Sequence, residues 1–186
     1  MLFIVQGGLH CRTVALPPNS SIRQKGCVMA VKPIPDGYHS LTPYLVVSDA
    51  TKALAFYAQA FGAKELFRLP MPNGKIAHAE MKVGDSAFML ADEAPEMDAK
   101  SPATIGGSPV SLLLYVPNVD AMVKQAEAAG ATIVRPVADQ FYGDRSAVLV
   151  DPFGHKWSLA THVEDVSPEE MNKRFEKLLH GHCEGG

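Results

Sequence analysis

A histidine and a glutamate, His78 and Glu80, stand two positions apart in a segment where polar and apolar residues alternate. Residues two apart on a β-strand lie on the same face, with side chains about 6–7 Å apart. A carboxylate in that position can orient an imidazole that moves a proton, or both groups can reach a divalent metal ion. The alternation through residues 76–83 fits equally well the polar outer face of an ordinary half-buried strand.

Tyrosines and an arginine elsewhere favour a binding surface. Tyr44 and Tyr115 occur in two strand-like segments, and a tyrosine offers stacking area and one hydrogen bond to a ligand. Both rings would serve equally well to fill an interior. Tyr142 and Arg145 stand at the mouth of a predicted loop, where the guanidinium can hold an anionic ligand or pair with a surface carboxylate. The sequence shows no phosphate-binding glycine loop, nucleophile elbow or CxxC motif.

The elements that must position these residues occur twice. Residues 41–91 and 110–160 are two versions of one unit, and a shift of 69 positions places Leu45 on Leu114. In each unit the hydrophobic spacing predicts a strand, a helix and three short strands. We therefore predict an α+β fold in which tandem β-α-β-β-β repeats, related by a pseudo-twofold axis, form a curved sheet around a cup.

The flanks of the repeat define the domain boundaries. Residues 1–37 lack a clear period and predict a disordered extension, with a transit peptide as the alternative. The domain itself spans residues 38–165. An amphipathic helix follows at 166–180, with a cap at Ser167, and 181–186 form a tail.

The segment between the two repeats, residues 92–109, is acidic first and then rich in proline and glycine. A connection of that length inside one domain is typical of a functional flap or a flexible linker. Together with residues 139–144 it is the predicted cover of the cup.

Composition excludes several classes of partner. The net charge is −3 with no basic cluster, which gives no support for nucleic-acid binding. No apolar stretch approaches the roughly 18 residues that span a bilayer, so we expect no membrane association. Cys11, Cys27 and Cys183 all lie outside the repeat and form no disulfide framework. A cytoplasmic location is therefore predicted.

The tandem unit resembles the glyoxalase/bleomycin-resistance family, also called the vicinal oxygen chelate superfamily. The resemblance covers about residues 38–165 and rests on Leu41–Val47 at the start of one half and Asp151–His155 near the end of the other. Further stretches are similar to its PhnB-like branch: Phe56–Tyr57, Phe61–Ala63, His78–Glu80 and Gly84–Ser86.

The resemblance implies a metal site, which this sequence does not reproduce. Enzymes of the family usually place histidine or glutamate ligands on the first and fourth strands of each half. Carried onto this chain, those positions are Thr42, Met89, Ser111 and Ser158. Divalent metals prefer imidazole, carboxylate or thiolate ligands, so we expect the usual chelate, and any metal cofactor, to be missing.

The predicted function is therefore that of a small-molecule-binding protein, a homodimer that encloses an aromatic or anionic compound in its cup. The alternative is a metal-dependent lyase, isomerase or dioxygenase in which His78 and Glu80, the candidate catalytic residues, hold a displaced divalent metal. A third possibility is a cup filled by side chains. The predicted ligand-binding residues are Thr42, Tyr44, His78, Glu80, Met89, Ser111, Tyr115, Tyr142, Arg145 and Ser158. Pairing of the halves within one chain and exchange between two chains both stay open.

Overall fold

A computed structural model describes residues 31–181 of the chain. Most of the predicted extension, the end of the predicted tail and all three cysteines lie outside the described residues. The fold below is that of the unit that begins at Ile34. Among the helices of residues 31–181, none combines the length and apolar character that crossing a bilayer requires.

The first repeat forms a four-stranded sheet with one helix. Its elements are β1 (Tyr44–Val47), α1 (Ala50–Phe61), β2 (Lys64–Pro70), β3 (Ile76–Val83) and β4 (Ser86–Asp92). The strand order is β1-β4-β3-β2, with β1 parallel to β4 and the other neighbours antiparallel.

The second repeat has the same topology. Its elements are β5 (Ser111–Tyr115), α3 (Val119–Ala129), β6 (Thr132–Asp139), β7 (Asp144–Val150) and β8 (Lys156–His162). The sheet order is β5-β8-β7-β6.

Register confirms the predicted equivalence of the two repeats. Leu45 pairs with Leu90 in one sheet, and Leu114 pairs with Leu159 in the other. The predicted α+β fold with tandem β-α-β-β-β units is therefore correct. The strands of one chain form two separate sheets, and they do not close into a continuous curved sheet around a cup.

The helix starts show why both repeats fold alike. Asp49 caps α1 by accepting a hydrogen bond from the Lys52 amide, and Asn118 caps α3 in the same way. At the residue that follows each cap, the backbone amide donates a hydrogen bond to a side chain at the end of the last strand in the same half. That acceptor is Asp92 for α1 and Thr161 for α3. Equivalent capping fixes each helix on its sheet.

The core lies between the two sheets and their helices. The side chain of Gln125 on α3 donates to two main-chain carbonyls near the end of α1, which ties the helices together. Tyr57, Phe61, Phe88 and Trp157 form a buried aromatic cluster shared by both halves. Burying a side chain of this size contributes about 2–3 kcal/mol. The shared cluster therefore holds the halves in a fixed relation.

The connection between the halves is more structured than its composition indicated. It contains a 3-10 turn at Pro95–Met97 and the short helix α2 at Pro102–Ile105, where a loop was predicted. Ser101 is fully buried, and its amide donates to the Glu93 carboxylate at 3.0 Å. Proline at the start of both helical turns was the sequence signal for them.

The last helix, α4 (Pro168–Gly181), begins where the capping pattern predicted, because the Ser167 hydroxyl accepts the Glu170 amide. It packs on its own domain. The Phe175 ring lies 5.5 Å from that of Phe141, and Arg174 forms an ion pair with Glu164 at 2.7 Å.

Candidate functional site

Each sheet has one face against its helix and one face without a covering element. We call the uncovered face of the first sheet the first open face. It carries Tyr44, Phe67, Leu69, His78, Glu80 and Met89. The uncovered face of the second sheet is the second open face, and it carries Leu113, Tyr115, Asp144, Val148, Ser158 and His162. Strand alternation places these residues on the side of each sheet away from its helix, although Asp144 and Val148 are themselves buried.

Three polar side chains of the first open face, joined by Tyr38 from the segment before β1, form one hydrogen-bonded chain. The Tyr44 hydroxyl lies 3.1 Å from Nδ1 of His78, and Nε2 of His78 lies 3.1 Å from Oε1 of Glu80. The other oxygen of Glu80 accepts the hydroxyl of Tyr38. The tyrosine, imidazole and carboxylate thus stand in the order of a nucleophile, base and orienting group in a catalytic triad.

Tyr44 is the most exposed of the three residues Tyr44, His78 and Glu80. Tyr44 is 41% exposed, whereas the side chains of His78 and Glu80 are 17% and 23% exposed. Apolar residues of β2 flank the buried end, because Leu69 pairs with His78 and Phe67 with Glu80. A ligand on the first open face therefore meets the Tyr44 hydroxyl first.

Burial and hydrogen bonding set the protonation states of this group. The hydroxyl of Tyr38, and then His78, hold the pKa of Glu80 below its ordinary value, so the carboxylate is ionised at neutral pH. Burial, reinforced by Glu80, raises the pKa of Tyr38 to about 12. Burial also raises the pKa of Tyr44. Both tyrosines therefore keep their protons at neutral pH, and Tyr38 donates its proton to Glu80.

A second group of the same residue types lies on the second open face. The Tyr115 hydroxyl donates to Asp144 at 2.8 Å, and the other Asp144 oxygen lies 2.8 Å from Nδ1 of His162. Nε2 of His162 lies 3.0 Å from Asp165. Asp165 and then Asp144 raise the pKa of His162, which favours the charged imidazolium.

Sequence reasoning found part of these two groups. It identified Tyr44, His78, Glu80 and Tyr115, but not Tyr38, which precedes the repeat and carries no periodic signal. The pair Asp144 and His162 was also missed. Those two residues face each other across β7 and β8, so extending the predicted hairpin register by two positions would have paired them.

The positions of the expected chelate are divided between the two sheets. Met89 pairs with Tyr44 on the first sheet, and Thr42 precedes β1 and donates its hydroxyl to the His39 carbonyl. Ser158 pairs with Leu113 on the second sheet, and Ser111 lies at the start of β5. Each sheet thus receives two of the four positions, none with a ligand that divalent metals prefer.

Arg145 lies on the opposite side of its sheet from the second open face. It shares strand parity with the buried Ala147 and Leu149. Its guanidinium donates to both oxygens of Asp120 at 2.8 Å and to Asp139 at 2.9 Å, and these two carboxylates raise its pKa. The predicted pairing with surface carboxylates is what the structure shows.

Tyr142 lies in the loop before β7, half-exposed, with its ring edge-on to Phe141 at 5.2 Å. The hydrogen-bonded chain of the first open face therefore does not include Tyr142.

Two open clefts flank the edges of β1 and β5. One, of about 290 Å³, is lined by Tyr44, Val110 and His155, and the other, of about 360 Å³, by Phe88, Leu113 and Tyr115. Neither includes His78 or Glu80. Both volumes lie near the lower limit for small-molecule pockets.

The residues do not fit a metal centre. Within residues 31–181, no group of three or more His, Cys, Asp or Glu side chains is placed to hold a metal ion. On the first open face, His78 and Glu80 bond to each other and to tyrosines, which are weak ligands.

Comparison with known proteins supports the fold. Residues 37–159 match the model of the Glyoxalase/Bleomycin resistance protein/Dioxygenase superfamily. An uncharacterized protein of Mycobacterium tuberculosis is 43% identical over 152 residues, which cover 80% of this chain and 87% of that protein. A gene product of Arabidopsis thaliana is similar with 29% identity and a TM-score of 0.55, over 66% of this chain and 98% of that one.

The PhnB protein from Bacillus cereus is also similar, with a TM-score of 0.53 over 66% of this chain and 99% of that one. At 18% identity this likeness shows the fold alone. The tandem β-α-β-β-β units and the family match together define an α+β protein of the glyoxalase type. The chain belongs to the glyoxalase/bleomycin resistance protein/dioxygenase superfamily.

Proposed function

We propose that this chain is a small-molecule-binding protein that holds an aromatic compound on its first open face. The observation that carries the proposal is the combination on one face of exposed apolar side chains with a bonded polar group. Phe67 and Leu69 are 47% and 39% exposed beside the Tyr44–His78–Glu80 chain. Ligand sites of this kind combine apolar contact area with a few polar groups that fix orientation.

In this proposal the ligand is an aromatic compound that enters the first open face without a charge. Arg145, the residue suggested for an anionic group, is held by Asp120 and Asp139 on the other side of its sheet. The polar groups of the first open face include an ionised carboxylate, Glu80, which repels anions. Stacking on tyrosine and apolar contact require no charge on the ligand.

The proposal includes binding without a metal ion. The expected chelating positions hold hydroxyl and thioether side chains, and His78 and Glu80 are satisfied by hydrogen bonds within the protein. The metal-dependent alternative would require breaking these bonds. Metal analysis of purified protein tests this part directly, and one equivalent of zinc, nickel, iron or manganese would contradict it.

A second copy of the chain completes the cup in this proposal. Both open faces expose large apolar side chains, among them Phe67 on the first and Leu113 at 57% on the second. Exposed apolar surface of this kind marks interaction sites. Because the repeats are alike, a twofold axis can bring the first open face of one copy over the second open face of another.

Molecular mass in solution tests the dimer. Leu113→Lys, which places a charge on the second open face, should shift the protein towards monomer. Met97→Lys, at a residue 62% exposed in the connection between the halves, is the matched control and should leave the mass unchanged. A wild-type protein that is monomeric at high micromolar concentration would contradict the dimer.

A thermal-shift screen of aromatic and anionic compounds tests the ligand class, because a ligand that binds the native state raises the melting temperature. For an aromatic ligand found in this way, Tyr115→Ala and Tyr44→Ala should each weaken binding by about 1–3 kcal/mol, the range of a moderate hot spot. If His78→Ala and both tyrosine variants bind it unchanged while folded, the open faces are not the binding surface.

Two finer predictions from the sequence stay predictions. Membership of the PhnB-like branch rests on the similar sequence stretches Phe56–Tyr57, Phe61–Ala63, His78–Glu80 and Gly84–Ser86. Action in the cytoplasm rests on the cysteine pattern, and labelling of the protein in fractionated cells would test it.

A further inference from the structure

The Tyr44–His78–Glu80 chain has a defined direction. The ionised Glu80 carboxylate can only accept hydrogen bonds, so Nε2 of His78 carries the proton on that side. In the neutral imidazole Nδ1 is then an acceptor, and the Tyr44 hydroxyl donates to it. The oxygen of Tyr44 therefore presents its lone pairs, rather than its proton, towards the first open face.

The Tyr44 oxygen can accept a hydrogen bond from a ligand while the Tyr44 proton faces a base, Nδ1 of His78. Resting on the proposed aromatic-binding surface, we infer that this site selects aromatic compounds with an acidic hydroxyl group and binds them as phenolates. The ligand hydroxyl would donate to the Tyr44 oxygen, and the Tyr44 proton would move to Nδ1 of His78.

The proton transfer is balanced without any other reactant. The ligand O–H bond breaks and its electron pair stays on the ligand oxygen. Tyr44 gains the ligand proton and loses its own to His78. The resulting imidazolium keeps its Nε2–H bond to Glu80, whose negative charge stabilises it at 3.1 Å. No metal, oxidant or reductant takes part.

The surroundings support transfer at this point. Around His78 and Glu80, the neighbours on β2 are the apolar Leu69 and Phe67, and Met89 on β4 lies beside Glu80. Lys82 follows on the same strand face, and Tyr38 binds the far oxygen of Glu80. In such apolar surroundings a charged pair is stronger than in water. A ring that spreads the negative charge makes a phenol a better donor than an aliphatic alcohol.

The second open face does not carry the same device. There the Tyr115 hydroxyl donates to a carboxylate, Asp144, and His162 bonds to two carboxylates. That arrangement offers no neutral imidazole to receive a proton through the tyrosine, so it provides an internal comparison.

The test uses the full chain with 4-nitrophenol, whose phenolate absorbs visible light, and its methyl ether 4-nitroanisole. Equilibrium dialysis measures binding of both probes at a pH about one unit below the pKa of free 4-nitrophenol. We expect 4-nitrophenol to bind more tightly than the ether, and the ratio of phenolate to phenol in the bound probe to be about tenfold higher than in the free probe, which is one unit of pKa.

Three variants locate the effect. His78→Asn and Tyr44→Phe should each abolish the extra phenolate absorbance, compared at saturating 4-nitrophenol so that a change in affinity does not affect the comparison. Glu80→Gln, a positioning change, should reduce the effect without removing it. His180→Asn, at the exposed end of α4, is the control for loss of an imidazole and should behave as wild type.

The outcomes separate the two proposals. If 4-nitrophenol binds saturably but stays neutral, or if His78→Asn ionises it as well as wild type, the phenolate inference is wrong while the binding function stands. If 4-nitrophenol does not bind at all, the phenolate inference is wrong. The aromatic panel of the thermal-shift screen then decides the binding function independently.

Discussion

The two open faces use tyrosine, histidine and carboxylate side chains in different orders. On the first, Tyr44 bonds to an imidazole that bonds to a carboxylate. On the second, Tyr115 bonds to a carboxylate that bonds to an imidazole. The backbone repeat is the same, so the chemistry of each face depends on which partner stands next to the tyrosine. A phenol backed by an imidazole can relay a proton, whereas a phenol backed by a carboxylate is fixed as a donor.

The halves also differ at the turn before the last strand. In the second half the turn after β7 contains Asp151, a buried carboxylate that accepts the Tyr57 hydroxyl at 2.8 Å and the Trp157 indole N–H at 2.9 Å. It also accepts two backbone amides of its own turn. By strand register the equivalent position of the first half is the apolar Val83, because Lys82 pairs with Ala87 as Val150 pairs with Lys156. At this pair of positions, therefore, it is the residue of the second half that hydrogen-bonds to a helix of the other half, through Tyr57 of α1.

The largest effect is expected from Asp151→Ala. The change would leave the buried Tyr57 hydroxyl and the Trp157 N–H without acceptors, at about 1–3 kcal/mol for each unsatisfied donor. We expect a loss of about 4 kcal/mol in the free energy of unfolding, measured by urea denaturation.

Tyr57→Phe is its control, because it removes one donor and keeps the ring. It should cost about 1 kcal/mol, the net worth of one hydrogen bond. An Asp151→Ala protein as stable as Tyr57→Phe would show that this carboxylate does not join the halves.

A pair of equivalent glycines gives the next comparison. Gly74 and Gly143 are 69 positions apart, and both have a left-handed backbone, with φ of 83° and 97°. A Cβ added at Gly74 meets nothing within 4 Å, whereas at Gly143 it would lie 2.1 Å from the backbone oxygen of Glu164. That segment leads into α4 and is held by two amides donating to the Gly143 carbonyl.

Gly74→Ala should therefore cost about 1 kcal/mol from backbone strain alone. Gly143→Ala should cost about 3–4 kcal/mol, because the Glu164 backbone must also move. Thermal unfolding of the two variants measures the difference. Equal melting temperatures would mean that the segment before α4 does not pack on the second half in this way.

Particular residues show how much could be predicted from the sequence. The repeat, its helices and its strand faces followed from hydrophobic spacing and capping residues, because these are local properties. The face of the sheet on which Arg145 lies was predictable, because residues two apart on a strand share a face and Arg145 alternates with the apolar Ala147 and Leu149. The order of the bonded groups was not, because it depends on side-chain rotamers and on Tyr38, which lies outside the repeat. The separation of the two sheets also carries no local signal.

The two faces should respond to pH in opposite directions. Tyr38 and then His78 lower the pKa of Glu80 from 4.5, so its contribution to stability is present above that value and is lost as the pH falls through the lowered pKa. Asp165 and then Asp144 raise the pKa of His162 from 6.5, so its contribution is complete below that value and is lost as the pH rises through the raised pKa.

Melting temperature as a function of pH measures both. Glu80→Gln should flatten the decline below about pH 4.5 and leave the alkaline side unchanged, whereas His162→Gln should flatten the decline above about pH 6.5. If Glu80→Gln changed the melting temperature on the alkaline side, or His162→Gln on the acid side, the hydrogen-bonding order described for the two faces would be contradicted.

The smallest effect is expected at Arg145. Its ion pairs with Asp120 and Asp139 are exposed and lie on the side of β7 away from the second open face. Exposed ion pairs contribute little to stability, and a change on the far side of the sheet does not alter ligand contacts. Arg145→Gln should therefore leave the affinity for an aromatic probe within about twofold of wild type, whereas Tyr44→Ala weakens it. A large loss of affinity in Arg145→Gln, with the melting temperature unchanged, would place the ligand at the loop before β7 and away from the first open face.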